Sequence, residues 1–481
     1  MSDRWMHVVG AVRTPSVPLS LPTPLPDAES RDDDLAGDRS SAHGRGGSRT
    51  PDIAPHSVTD TTRALPWLRV REAMLAAGRW CAVASLFCVP LNKPATNVAL
   101  GLAFLFSMLG ADARRRWTEA ARHPVARGAL VWWAVLMLSA LHAWYLTASF
   151  PPTASFVWAC VYPLLFVSLL QTTPWRRRAL LAFASAAGFV VLASFGMSLG
   201  LIPQRPDALL SPTLHNTVFK EYTQQGLATL ILAAMAAAAA IAARSKKVRR
   251  FCLVATGLAL LNAALVLESR TTYLTLVPLA VYWIWRSAAL WHFDKRVLLA
   301  TFLSAVAALA LAWSTPFVQK RLVQAIPQEV ELYLAERQPT STGIRLELWR
   351  RTLPIIAAAP LFGHGLHQWA PLYRESIARL PDFDAFDMGH PHQEMLLIAA
   401  EQGLAGLAVY LFLLLALARY VQRLEQPERD IYNCLLLIYL AAGLANGLWA
   451  DFTHRHVFIL LLACIPLARR IQATGDTPRP D

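Results

Sequence analysis

The chain has 481 residues, 55% hydrophobic and 16% charged, with a formal net charge of +13. A mean hydropathy of +0.37, with repeated apolar runs close to the roughly 20 residues that cross a bilayer, excludes an ordinary soluble globular protein. The positive charge falls in short clusters between apolar runs, the positive-inside pattern of a membrane protein, and this argues against a nucleic-acid partner.

Residues 1–66 are rich in Pro, Ser, Asp, Arg and Gly and lack apolar periodicity. Such a segment cannot bury enough surface to offset its ordering entropy, so it is predicted to be disordered. It has no apolar stretch of the kind a cleaved signal peptide needs. Translation from Met74, just before the first span, is an alternative reading.

Apolar runs follow at 74–91, 94–110, 128–148, 152–171, 178–201, 224–243, 251–268, 271–286, 296–314, 395–419, 431–449 and 456–468. They predict an all-α polytopic membrane protein of about twelve transmembrane helices, the shorter ones accommodated by their neighbours or by local thinning. Basic clusters at 114–127, 174–178, 244–250, 285–296, 419–429 and 468–470 recur at every second connection. All then share one side, the cytoplasmic one, and both termini join them.

The expected organisation is a cytoplasmic N-terminal segment (1–66), spans one to nine (67–314), one large loop (315–394), spans ten to twelve (395–470) and a cytoplasmic tail (471–481). The large loop lies on the opposite face, periplasmic in a bacterium. Its polar non-helical backbone cannot sit unsatisfied in hydrocarbon, so it lies outside the bilayer or lines a cavity at its edge. Helical spacing in 328–337 and a Ser/Thr start at 341 predict two or more short helices within it. All six cysteines fall in apolar runs, so neither a disulfide staple nor a C-x-x-C site is expected. No 20–50-residue repeat marks a solenoid.

Arg270 sits in LVLESRTTYLTL, between two apolar runs with almost no loop. A guanidinium at that depth is costly unless it faces a water-filled cavity or an anion. The plainer alternatives are snorkelling to headgroups or an ion pair with Glu268. Arg345 lies one turn before Trp349, followed by Arg350 and Arg351. The planar fork of arginine fits phosphate oxygens; a basic amphipathic helix resting on anionic headgroups is the alternative, and the expected fate of Arg350 and Arg351.

His390, His392 and Glu394 stand in GHPHQEML at the entry to the tenth span. Histidine can act as general base toward a sugar hydroxyl. Pro391 and the lack of a further ligand motif argue against metal binding, and helix capping is the plain alternative. Gly363 and Gly365 in GHGLHQW let backbone amides approach a ligand, or simply permit a turn. In the 202–223 loop, His215 and Lys220 share the same face, where Lys220 reads as a phosphate contact or a solvated lysine.

PLFGHGLHQW, then HPHQEMLLIAAEQGLAGLAVYLFLLL, resembles the signature of the O-antigen ligase and polymerase superfamily. His392 occupies the histidine of the "HNxxLxxxxExGxxGL" pattern, Gln393 replaces its Asn, and Glu401, Gly403 and Gly406 match the tail. SRTTYL is similar to the element that places Arg270, and IRLELW to the one that places Arg345 and Trp349. The motifs cover about residues 205–420.

The resemblance implies a GT-C-type membrane glycosyltransferase of the bacterial inner membrane, moving a glycan from undecaprenyl diphosphate to an acceptor on its outer face. Arg270 and Arg345 would bind the diphosphate, and His392 would take the acceptor's proton, with inversion and with no metal, nucleotide or other cofactor. Lys220, His215, His390, Trp349, Gly363, Gly365 and Glu394 would surround the substrates. A single dominant loop favours the ligase, whose acceptor is the lipid A–core oligosaccharide. A polymerase or a protein O-oligosaccharyltransferase is the alternative within the class. Outside it stands a transporter or flippase for a lipid-linked sugar, which should show paired halves or broken helices. A structural scaffold would leave Arg270 and the histidines unexplained.

Overall fold

A computed structural model describes residues 66–149, 151–152, 154–206, 215–267, 269–291, 324–378, 380 and 383–467. Among these no strand occurs. The segment expected to be disordered, the expected ninth span at 296–314, Glu268 and the C-terminal tail lie outside the described residues.

Helix α1 (Pro66–Cys88) turns back into α2 (Lys93–Leu109), whose first turn is capped by the Asn92 side chain accepting from the Ala95 amide at 2.9 Å. A short basic helix, α3 (Ala113–Ala121), leaves α2 at 115°. The bend is fixed by Arg116, buried, which donates to the backbone carbonyls of Ser107 (2.8 Å) and Ala111 (2.9 Å). Then follow α4 (Pro124–Thr147), α5 (Ala154–Leu169), α6 (Thr173–Ser198), α7 (Tyr222–Ala242), α8 (Lys246–Leu261, continued by a π turn Asn262–Val266) and α9 (Arg270–Trp291). The polar region contributes α10 (Ala325–Glu336), α11 (Ser341–Ala358), α12 (Trp369–Ile377) and α13 (Phe383–Phe386). The chain closes with α14 (Glu394–Val421), α15 (Glu428–Gly443) and α16 (Phe452–Leu462).

By length and apolar composition, five of these can cross a membrane: α4, α6, α7, α8 with its π turn, and α14; the bent α2–α3 pair would make a sixth. α16 and most of α5 are apolar but shorter. Twelve crossings are therefore more than the described helices establish, while a polytopic membrane protein is what they form. Helix α7 is the pivot. Its alanine-rich run is buried on nearly every side, because small side chains let neighbouring helices close on its backbone. Gly226 takes this furthest: a β-carbon there would lie 2.1 Å from the Thr272 hydroxyl of α9.

Helix α14 is broken inside its apolar length. Gly403 adopts φ 69° and ψ −175°, a left-handed conformation that glycine alone takes at no steric cost. The backbone groups freed by the break are satisfied by the 360–365 turn. His364 and Gly365 amides donate to the Ala400 and Glu401 carbonyls (3.0 and 2.8 Å), and Leu404 and Ala405 amides donate to those of Pro360 and Leu361 (2.8 and 3.1 Å). Irregular backbone at that depth is tolerated where protein buries it. The broken helix that a transporter would show is present, but protein backbone fills it.

Candidate functional site

Arg270 opens α9 behind Ser269, whose hydroxyl accepts from the Thr272 amide at 3.3 Å. Its guanidinium meets Glu329 of α10 in a bidentate pair, Nη1 at 2.8 Å and Nη2 at 2.6 Å, and Nη1 also donates to the Thr342 hydroxyl at 3.1 Å. The Thr342 amide donates to the same carboxylate at 2.9 Å. Burial works to raise the Glu329 carboxyl, but the hydrogen bonds from Arg270 and Thr342 override it and hold it at about 2. The counter-ion of Arg270 is thus Glu329.

Arg345 stands one turn into α11, whose first turn the Thr340 hydroxyl caps by accepting from the Gly343 amide at 3.1 Å. Burial lowers its pKa and the Arg270 charge adds to this, while Tyr222 and Glu329 oppose both. Tyr222, in the first turn of α7, is within electrostatic reach of both guanidiniums. Among the described residues Arg345 forms no ion pair. Arg350 and Arg351 differ. Both clamp the fully buried Glu347, Arg350 Nη2 at 3.0 Å, and the Tyr333 hydroxyl donates to the same carboxylate. Through that carboxylate, and through Arg351 donating to the Ser376 carbonyl, they tie the loop helices together.

The His390–Pro391–His392 turn joins a cavity at His390 to the cationic residues near His392. The Trp349 indole donates to the Pro391 carbonyl at 3.1 Å, so Trp349 positions the turn from α11. His392 sits at φ 49°, strained for a non-glycine residue, and its amide donates to His390 Nδ1 at 3.1 Å. The two rings are 4.4 Å apart. Burial lowers the His392 pKa, Arg345 lowers it further, and the Asn446 side chain opposes. Asn446 in turn donates to the Thr271 hydroxyl at 2.9 Å, beside Arg270. Arg270, Arg345 and His392 therefore belong to one cluster, gathered from α9, α11 and the turn before α14.

On the other side, His390 and Glu394 line a cavity of about 830 Å³. Burial pulls the His390 imidazole down to about 4, with the His392 ring adding to it. Glu394 begins α14, which the Gln393 side chain caps by accepting from the Leu396 amide at 2.5 Å, and its Oε2 accepts from the Trp449 amide at 3.0 Å. Lys220 is half-buried, and its electrostatic neighbours are Asp451 and Lys93, both on the rim of this cavity.

The expectation for Gly363 and Gly365 gives way. Gly363 and Gly365 do not offer amides to a ligand: those amides donate to the Ala359 and Glu401 carbonyls (3.1 and 2.8 Å). A β-carbon at Gly363 would lie 2.5 Å from the Glu401 backbone, and one at Gly365 2.6 Å from Ala143. What they approach is protein. His215 is exposed, and among the described residues no hydrogen bond or ion pair ties it to the cluster. Also among the described residues, no group of three or more His, Cys, Asp and Glu side chains is placed to hold a metal ion.

The arrangement offers a half-buried cation without an ion pair among the described residues, beside an imidazole whose pKa burial and that cation lower. The first binds an anion; the second accepts a proton. Glu329, Thr342, Asn446 and Tyr222 were not singled out in the sequence, although the asparagines at 433 and 446 inside the apolar run 431–449 are a readable signal. No curated protein matches the chain. Residues 254–411, which carry Arg270, Arg345 and His392, match the family model described as O-Antigen ligase. That match supports membership of the O-antigen ligase/polymerase superfamily.

Proposed function

We propose that the chain is an O-antigen ligase: a membrane glycosyltransferase that moves a glycan from undecaprenyl diphosphate to lipid A–core oligosaccharide during lipopolysaccharide assembly. Family membership supports a transferase role, with a lipid-linked glycan and a lipid-anchored acceptor as substrates in general terms. The observation that carries the finer reading is Arg345, a half-buried guanidinium with no ion pair among the described residues, within electrostatic reach of His392.

In this reading Arg345 takes oxygens of the donor diphosphate, and Arg270 joins it when the diphosphate replaces the Glu329 carboxylate. His392 accepts the proton of the acceptor hydroxyl as that oxygen attacks the anomeric carbon. The bond from that carbon to the diphosphate oxygen breaks on the opposite face, its electron pair leaving with the diphosphate, and the carbon inverts. Guanidinium charge stabilises the departing group, a task a divalent ion performs elsewhere, so no metal or other cofactor is required. His390 and Glu394 face the acceptor, Trp349 positions the turn, and Lys220 serves the rim.

The reading carries a topology with it. The site faces the periplasm from the inner membrane, both termini are cytoplasmic, twelve spans form a GT-C-type scaffold, and the 315–394 loop is the catalytic module between spans nine and ten. The test is purified protein incubated with undecaprenyl diphosphate glycan and lipid A–core in EDTA. Extended lipopolysaccharide is the expected product. Lengthened donor chains identify a polymerase instead, and carrier movement across vesicles without transfer identifies a transporter.

A further inference from the structure

The cavity beside His390 contains three buried polar atoms without a protein partner: Trp132 Nε1, Trp449 Nε1 and Glu394 Oε1. Trp132 is 5% exposed and Glu394 2%. Buried polar groups are normally paired, so three orphans lining one cavity point to a ligand that completes them. Their chemistry is mixed, two donors and one acceptor. The Trp132 and Trp449 rings meet edge-on at 6.2 Å, and Trp158 offers a further aromatic face at the wall.

The cavity's charges select among ligands. Lys93 and Arg455 are its Lys and Arg side chains, against three carboxylates, Glu394, Glu401 and Asp451. With acidic side chains outnumbering Lys and Arg it contrasts with the Arg270–Arg345 cluster, and that lining disfavours a diphosphate. A hydrocarbon chain would leave the orphaned atoms unpaired. A sugar fits both demands: its hydroxyls donate and accept, and its C–H face lies against indole. About 830 Å³ is within the usual 300–1,000 Å³ of small-molecule sites.

We propose that this cavity is a carbohydrate subsite for the acceptor, in which Trp132 and Trp449 donate to sugar oxygens, Glu394 accepts from a sugar hydroxyl and Trp158 stacks on the ring. The proposal rests on the transferase reading and deepens it. The acceptor sugar and the donor diphosphate then approach the His390–Pro391–His392 turn from its two sides. That separation is what attack opposite a leaving group needs.

The test is calorimetric binding to the full-length protein in detergent, with two probes: the water-soluble core oligosaccharide released from lipid A–core, and undecaprenyl diphosphate. Trp132→Phe and Glu394→Gln should each raise the Kd for the oligosaccharide tenfold or more and leave that for undecaprenyl diphosphate within twofold. Trp158 is 44% exposed, so Trp158→Ala gives the same reading without a buried substitution. Arg345→Ala should invert the pattern. The subsite is overturned if the unaltered protein does not bind the oligosaccharide, if all three cavity variants bind it normally, or if they lose undecaprenyl diphosphate instead. Oligosaccharide binding with no transfer keeps the subsite and removes the transferase reading. Transfer with an unchanged KM for lipid A–core in the variants does the reverse.

Discussion

Arg345 and Arg350 stand on the same helix within one short run, IRLELWRR, and live in opposite surroundings. Arg350, with Arg351, closes on Glu347, whose side chain is 1% exposed, and Arg337 adds a longer contact at 3.7 Å. Arg345 is the more buried of the two and has no carboxylate of its own. Counting basic residues does not separate these cases; counting their partners does. A clamped arginine spends its charge inside the fold, whereas a buried one left open keeps it for a ligand.

The sharpest way to break this comparison is to remove the open cation or its neighbouring base. Arg345→Ala should lower kcat about 10²–10³-fold, and His392→Ala roughly 10²–10⁴-fold, with thermal unfolding unchanged in each. Near-normal turnover in either would take that residue out of the mechanism. Glu347→Ala acts instead on the clamped arginines of the same helix. It leaves the arginines facing one another around a vacated carboxylate site, and should cost about 3 kcal/mol of stability, read as a lowered thermal midpoint.

Acid should separate the clamp from the site without mutation. Glu329 and Glu347 are both held at about 2, below the ordinary 4.5. Depressed carboxylates contribute stability above the unfolded-state value and lose it as pH falls through the folded one. The loop helices should therefore loosen progressively between about pH 4.5 and 2, followed by near-ultraviolet circular dichroism. A smaller shift concerns the base. Arg345 helps to lower the His392 pKa below the ordinary 6.5, and catalysis needs the neutral imidazole. In Arg345→Gln the acid limb of kcat/KM should move to higher pH than in the unaltered protein. Arg350→Ala is the smallest effect. With the side chain 52% exposed, it should cost less than about 1 kcal/mol and leave transfer unchanged.

Arg270, Arg345 and the histidine turn were legible because each breaks a local rule: charge at the edge of apolar sequence, or histidines flanking a proline at a helix start. Their neighbours were not, because contact across long separations leaves no local trace. Glu329 lies 59 residues from Arg270, and Asn446 lies 175 from Thr271. The division between cavity and cationic cluster was equally hidden, since His390 and His392 are separated by one residue, yet the first lines the cavity and the second has Arg345 as its charged neighbour. Gly363 and Gly365 were readable as unusual backbone, but what that backbone approaches is a tertiary fact. Helix α3 read as a basic connection because its three arginines mask a helix only nine residues long.

The break at Gly403 ties the fates of two distant stretches. Segments 360–365 and 400–405 complete one another's backbone, so neither has a satisfied arrangement alone within an apolar layer. A larger residue at Gly403 would collide with Leu361, 2.3 Å from its β-carbon, and would require the opposing turn to be rebuilt in the same step. Paired change at these two places is therefore the substitution pattern to seek wherever this architecture recurs.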